Sequence, residues 1–205
     1  DPSADIDGDD IRRKLCISAN IAFDAVLQET DIPAFGIRTV TAGDIAAFKS
    51  HGFACKLLAR AESAGDGVCA YVEPTLVGAA DLEAAVPANF NLITYEAEKL
   101  GRQSFYGQGA GRFPTASNVM QDCLTVLGGA RGSYTRKASP AGLVSAEAHP
   151  YYVRTAAPDE FLRAHTAEVW ENGAVVTGAV DTFEMLAWAK AQLEKDGGAF
   201  IAGIR

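Results

Sequence analysis

The chain has 205 residues, of which 48% are hydrophobic and 21% charged, a composition typical of a soluble globular protein. Its formal net charge of -8 argues against a nucleic-acid partner, because phosphate backbones are bound by clustered Lys and Arg and the sequence has no such cluster. No apolar run approaches the ~18 residues that span a bilayer, and no signal peptide opens the chain. We therefore expect no membrane association and a cytoplasmic location.

The cysteines and histidines predict no metal site. Cys16, Cys55, Cys69 and Cys123 include no Cys-x-x-Cys spacing, and the three histidines lie in unrelated contexts. The composition does not suggest a disulfide scaffold either. Cys16 and Cys123 fall within amphipathic helical patterns, which predicts that both are buried free thiols.

The first predicted element is a helix over residues 9–27, with Asp7 as its N-cap. Apolar residues occur at helical spacing on two of its sides, which indicates a mostly buried helix. Asp10 and Lys14 lie four residues apart and so share one face. This spacing fits a surface ion pair, and it also fits a partly desolvated lysine that exchanges protons with a buried substrate.

The next elements predict an α+β fold. A helix opens at Thr41 and closes at Gly52, and two strand pairs follow around glycine-containing turns. The predicted strands cover residues 53–61, 68–73, 90–95 and 103–106. Helices and hairpins in this order predict a mixed, largely antiparallel sheet covered by helices.

A glycine-rich segment, residues 107–111, lies between the last of these strands and a helix predicted to begin at Pro114. No βαβ unit with an acidic residue about twenty positions later follows it, which argues against a dinucleotide-binding fingerprint. A tight strand-to-helix turn that needs glycine conformations is the simpler interpretation of the pattern. The helix is predicted to point Val119, Cys123, Val126 and Leu127 inward.

The last third of the chain changes in composition. Residues 128–150 are rich in Gly, Ser, Ala and Pro and predict a linker. Residues 151–205 predict a small βαβαβ tail, whose successive elements are 151–154, 158–170, 173–177, 183–193 and 199–202.

Two segments together resemble the substrate half of homoserine dehydrogenase. The first is Asp1-Pro2 followed by Gly8-Asp9-Asp10-Ile11-Arg12-Arg13-Lys14, which matches the family's Asp-Pro lead-in and its Gly-x-Asp-x-x-x-Lys at a helix start. The second is Gly107-Gln108-Gly109-Ala110-Gly111, followed after two intervening residues by Pro114-Thr115-Ala116-Ser117. The resemblance covers residues 1–127, and the tail resembles an ACT-type module that is short by about one strand.

The resemblance implies an oxidoreductase that interconverts L-homoserine and L-aspartate 4-semialdehyde with NAD or NADP, in the biosynthesis of threonine and methionine. It implies that Lys14 is the acid/base residue and that Asp10 and Asp5 hold the substrate. It also implies that Gly109-Ala110-Gly111 faces the nicotinamide half of the cofactor.

The resemblance further implies a catalytic and dimerisation domain over residues 1–127, a linker over 128–150 and a reduced ACT-like tail over 151–205. The cofactor would be bound mainly by a domain absent from this chain, so we expect the chain to be inactive by itself. The resemblance also implies a homodimer. Two alternatives stay open. The tail suggests an amino-acid-sensing regulatory module, and a dehydrogenase-like reductoisomerase could use the same domain on another substrate.

Overall fold

The computed structural model describes residues 1–130 and 141–205. Within these residues the chain forms two compact units. The first combines residues 1–79 with 141–205, and the second contains residues 80–130.

The elements follow one another in this order. The chain begins with helices α1 (Ser3–Ile6), α2 (Asp9–Ala22) and α3 (Ala42–Ser50), and strands β1 (Phe53–Ala64) and β2 (Gly67–Gly78). The second unit contains β3 (Phe90–Ala97), β4 (Gly101–Gln108) and α4 (Arg112–Leu127). The remaining elements are β5 (Ala148–His149), β6 (Tyr151–Arg154), α5 (Glu160–His165), β7 (Thr166–Val169), β8 (Val175–Thr177), β9 (Val180–Asp181), α6 (Thr182–Lys195) and β10 (Phe200–Ile204).

A six-stranded sheet organises the first unit, with the strand order β1-β2-β10-β6-β8-β7. Neighbouring strands are antiparallel except β10 and β2, which are parallel where Gly203 and Ile204 pair with Thr75 and Leu76. The predicted mixed, largely antiparallel sheet covered by helices is therefore confirmed. Helices α3 and α6 contribute Phe48, Met185 and Leu186 to its core.

The tail belongs to the same sheet as the first hairpin, because β10 lies directly beside β2. The helix predicted over residues 158–170 is wrong in its second half, since α5 ends at His165 and Thr166–Val169 form β7. The β-branched Thr166 and Val169 suit a strand, and pairing with β8 decides the conformation. The tail consequently has two strands more than the predicted βαβαβ pattern, namely β7 and the two-residue β9.

A buried carboxylate joins α3 to the tail. Asp44 accepts hydrogen bonds from the Tyr152 hydroxyl at 2.6 Å, from Arg154 Nε at 2.7 Å and from the backbone N–H of Thr41 at 2.7 Å. Burial opposes the ionisation of Asp44, but these bonds outweigh it and lower the pKa of the carboxyl below its ordinary value. The Thr41–Asp44 contacts also form a capping box that begins α3 as predicted.

The second unit contains a separate β3–β4 hairpin and α4. Val119, Val126 and Leu127 are each more than half exposed, so the prediction that α4 points them inward is wrong for this chain. Cys123 on the same helix is exposed, against the prediction, whereas the predicted burial of Cys16 is confirmed. An apolar stripe marks a contact face, but it does not say which surface covers that face.

Two further features concern the described part of the chain alone. Within residues 1–130 and 141–205, no helix is long and apolar enough to cross a membrane. The same residues contain no group of three or more His, Cys, Asp or Glu side chains placed to hold a metal ion.

Candidate active site

Helix α2 begins at a glycine that packs against the sheet. Gly8 is the N-cap and has a φ of 86°, a conformation that favours glycine. A Cβ at this position would lie 3.2 Å from the side chain of Val72 on β2. The prediction of Asp7 as the N-cap is wrong, because its carboxylate is bound by Arg38 at 2.7 Å instead.

The sequence-predicted pair of Asp10 and Lys14 lies together on α2. Lys14 Nζ is 2.6 Å from Asp10 Oδ2, and the lysine side chain is 60% exposed. The ion pair indicated by the spacing is therefore present, and in this chain its lysine faces solvent.

The helix that carries this pair is shorter and more exposed than predicted. It ends at Ala22 rather than at residue 27. Cys16 and Ala19 are buried, but Ile17 and Ile21 are more than half exposed. The expected burial on both sides is wrong, because the sheet covers a single side of α2. Asp10, Lys14, Ile17 and Ile21 are called the open face of α2 below.

The other acidic residue predicted for the site, Asp5, lies on α1 and is exposed. Helix α1 packs against α2 and is followed directly by the Asp7–Gly8 turn. Asp5 therefore belongs to the same local structure as the start of α2.

The glycine loop, residues 107–111, links β4 to α4 in the second unit. Gly111 is the N-cap of α4 with a φ of 128°, and among the described residues no side chain caps it. A Cβ on Gly109 would clash with Asn91, whose amide nitrogen would lie 1.7 Å away. Pro114 is the third residue of the helix rather than the first, so its predicted position is corrected by two residues.

Sequence reasoning missed a buried polar cluster between β2 and the tail. Glu73 accepts a hydrogen bond from the Tyr151 hydroxyl at 2.9 Å, and its other oxygen lies 2.8 Å from His149 Nε2. Glu73 and His149 are both buried. Seventy-six residues separate Glu73 from His149 along the chain, so no local spacing could reveal the contact.

A second carboxylate extends this cluster to Arg205, which follows β10. Glu147 accepts hydrogen bonds from Arg205 and from the Tyr71 hydroxyl, and Arg60 lies 3.3 Å away. Burial opposes the ionisation of Glu147, but the bonds from Arg205 and Tyr71 outweigh it and lower its pKa to about 2. The cluster fastens the tail to β1 and β2 by charged contacts.

Comparisons with known proteins agree on one family. A family model described as homoserine dehydrogenase matches residues 1–124. Homoserine dehydrogenase of Corynebacterium glutamicum is 41% identical over 136 residues, which cover 64% of this chain and 30% of that protein. The Lactococcus lactis homoserine dehydrogenase is 30% identical over 166 residues, covering 78% of this chain and 39% of that protein.

A solved homoserine dehydrogenase from Thiobacillus denitrificans superimposes with a TM-score of 0.75 and 25% identity, over all of this chain and 55% of that one. The chain thus spans 30–39% of the two curated relatives and about half of the solved structure. The family match takes in most of the chain, including the Asp10–Lys14 pair and the glycine loop. The chain therefore belongs to the homoserine dehydrogenase family.

Proposed function

We propose that this chain is the substrate-binding and catalytic region of a homoserine dehydrogenase, which interconverts L-homoserine and L-aspartate 4-semialdehyde with NAD or NADP. The observation that carries the proposal is the Asp10–Lys14 pair, at 2.6 Å on the open face of α2. The pair lies on the helix that Gly8 begins, in a segment that the family model matches. An ammonium group held by a carboxylate on an accessible surface is suited to meet a polar substrate.

Lys14 acts as the acid/base residue in this proposal. During reduction, Lys14 Nζ donates a proton to the aldehyde oxygen as hydride adds to the carbon, and the product is the alcohol. During oxidation, the neutral amine takes the proton of the hydroxyl as hydride leaves the same carbon. A nicotinamide cofactor, when bound, would supply or accept that hydride. The lysine's positive charge also stabilises the negative charge that grows on the oxygen during reduction.

Asp10 and Asp5 supply negative charge for the substrate's ammonium group. Asp10 also orients Lys14, since the two side chains are one helical turn apart and in direct contact. Asp5 precedes the same turn on α1. A substrate held between an amino-group site and Lys14 presents its hydroxyl end to the lysine.

The glycine loop is the proposed contact with the cofactor. Residues 107–111 are exposed, and among the described residues no side-chain hydrogen bond caps the N-terminus of α4. Free backbone N–H groups at a helix start suit a polar group of the nicotinamide half. Because the relatives are much longer than this chain, we propose that a further domain holds the rest of the cofactor.

A homodimer is part of the proposal. The β3–β4 hairpin exposes Ile93, Tyr95 and Phe105 on one face, and Tyr95 and Phe105 stack at 5.9 Å. A two-stranded hairpin has little stability by itself, and an apolar exposed face is typical of an interaction surface. A twofold contact between two copies would bury it.

The tail is proposed to be ACT-like. Apart from the two-residue β9, which pairs with β5 outside the six-stranded sheet, its elements follow one another as β-α-β-β-α-β: β6, α5, β7, β8, α6 and β10. Strand β7 therefore supplies the strand that the sequence pattern lacks. The four strands lie in the order β10-β6-β8-β7.

The test of the proposed function is nicotinamide-dependent turnover by the complete enzyme that contains this chain. We expect L-homoserine to be oxidised, and its analogue without the amino group to be a far poorer substrate because Asp10 and Asp5 lose their partner. Equal turnover of both compounds would contradict the assigned roles. Turnover of a reductoisomerase substrate in place of homoserine would favour the alternative function, a dehydrogenase-like reductoisomerase.

A further inference from the structure

Arg38 holds the segment that leads into α2. Its Nε donates to Asp7 Oδ1 at 2.7 Å, and its Nη2 donates to Asp7 Oδ2 at 2.7 Å. Nη2 also lies 3.0 Å from the Ser3 hydroxyl. A single guanidinium thus reaches both α1 and the turn after it, from a position 31 residues beyond Asp7. The two parallel bonds fix the direction of the carboxylate as well as its distance.

The backbone beside Arg38 is packed equally closely against this turn. The N–H of Ile37 donates to the carbonyl of Ile6 at 2.8 Å. A Cβ on Gly36 would lie 2.3 Å from that same carbonyl oxygen, so the two backbones touch. Gly8 rests on the Val72 side chain, and the carbonyl of Val72 accepts a hydrogen bond from the N–H of Phe35. The segment 35–38 therefore contacts the turn directly and also supports it through Val72.

We propose that Arg38 is a positioning residue for the substrate site, acting through Asp7 to fix the place where α2 begins. This inference rests on the proposed function of Asp10 and Lys14. Asp10 is the second residue of α2 and lies three positions after Asp7. Lys14 lies one helical turn further on, where the hydrogen bonds of the helix hold it. A loosened turn therefore displaces Asp10 more than Lys14.

Arg38 contributes more to the position of the start of α2 than to the stability of the fold. Its side chain is 53% exposed, and ion pairs with that exposure stabilise folded proteins very little. Lysine could not replace it, because a single ammonium cannot form two parallel bonds to one carboxylate. Losing Arg38 should therefore change substrate binding while the unfolding temperature stays close to that of the wild type.

The experiment compares four variants of the complete enzyme with the wild type: Arg38→Ala, Asp7→Ala, the double variant with both alanines, and the exchanged pair Asp7→Arg with Arg38→Asp. KM for homoserine, kcat and the thermal midpoint are measured for each. We expect both single variants to raise KM roughly 10-fold with a smaller change in kcat. The double variant should be no worse than either single variant, because both residues act through one contact. The exchanged pair should recover part of the loss.

The control is Lys195→Ala. Lys195 lies in the same unit, its side chain is 57% exposed, and the substitution removes its ion pair with Asp159. We expect it to leave KM unchanged. A wild-type KM in Arg38→Ala, or additive losses in the double variant, would overturn the role of Arg38. If Arg38→Ala lowers the thermal midpoint strongly and the exchanged pair restores the midpoint but not KM, the residue is merely structural. A wild-type enzyme without homoserine turnover would instead overturn the proposed function.

Discussion

At the scale of single residues, Lys14 carries the chemistry of the proposed reaction. Its ammonium contacts Asp10 and is otherwise open to solvent in this chain. In the complete enzyme, Lys14→Ala should lower kcat by ~100-fold or more, as expected when a positioned acid/base group is lost. Because the side chain is exposed, the thermal midpoint should change little. Steady-state kinetics over a range of pH checks this.

Arg13 provides the matched control for Lys14. It lies on the same helix, is similarly exposed and pairs with Glu29 at 3.3 Å. We expect Arg13→Ala to keep most of the activity. Near-normal turnover by Lys14→Ala at every pH would remove the acid/base assignment.

Glu147 makes the stability of the first unit depend on pH in the acidic range. Its folded pKa of about 2 lies below its ordinary value of 4.5, so its contribution is complete above pH 4.5 and is lost as the pH falls towards 2. The glutamine in Glu147→Gln cannot ionise, so the stability of this variant should depend less on pH between 4.5 and 2. At neutral pH it should destabilise the chain by roughly 1–3 kcal/mol, because Arg205 loses a charged acceptor.

Acid unfolding followed by circular dichroism tests the role of Glu147. The informative quantity is the difference between the two proteins. Parallel curves for wild type and Glu147→Gln between pH 4.5 and 2 would show that this carboxylate does not control acid stability.

At the scale of elements, the approach of one segment to the start of α2 depends on Gly36. Its missing side chain lets the backbone lie against Ile6, where a Cβ would come within 2.3 Å of the carbonyl oxygen. Gly36→Ala should destabilise the fold by about 1–3 kcal/mol, since neither backbone can move without disturbing the sheet. Chemical denaturation measures the change.

Gly43 on α3 is the control for this substitution. A Cβ there meets Thr41 Oγ1 at 3.6 Å, an ordinary contact, and alanine forms helix better than glycine. Gly43→Ala should therefore be neutral or stabilising. Equal losses in both variants would mean that the close approach at Gly36 has no energetic weight.

At the scale of the whole molecule, the exposed hairpin predicts self-association. We expect the chain to form a dimer at low micromolar concentration and to bury about 1,200 Å² or more. Ile93→Lys should weaken the dimer, because it places a charge on the apolar face of β3. Leu100→Lys is the control, since Leu100 is also 66% exposed but lies in the turn of the hairpin.

Light scattering or sedimentation measures this equilibrium. A monomer at every accessible concentration would refute the dimer. A dimer that Ile93→Lys and Leu100→Lys weaken equally would place the interface elsewhere.

The parts of the site that lie close together along the chain could be predicted. Asp10 and Lys14 are four residues apart, and the geometry of a helix brings such residues into contact whatever surrounds it. The strand pairs β1–β2 and β3–β4 are joined by short turns, so their pairing was predictable from local pattern. The family resemblance depended on the same local segments.

Contacts between distant segments needed the tertiary structure. The Arg38–Asp7 pair, the Glu73–His149 contact and the place of β10 beside β2 join residues between 31 and 128 positions apart. Composition and periodicity indicate which residues seek a partner, but the partner is decided by the packing of the whole sheet. For the same reason an apolar pattern could predict α2 and α4 as helices, while only the fold could decide that Ile17 and Val126 stay exposed.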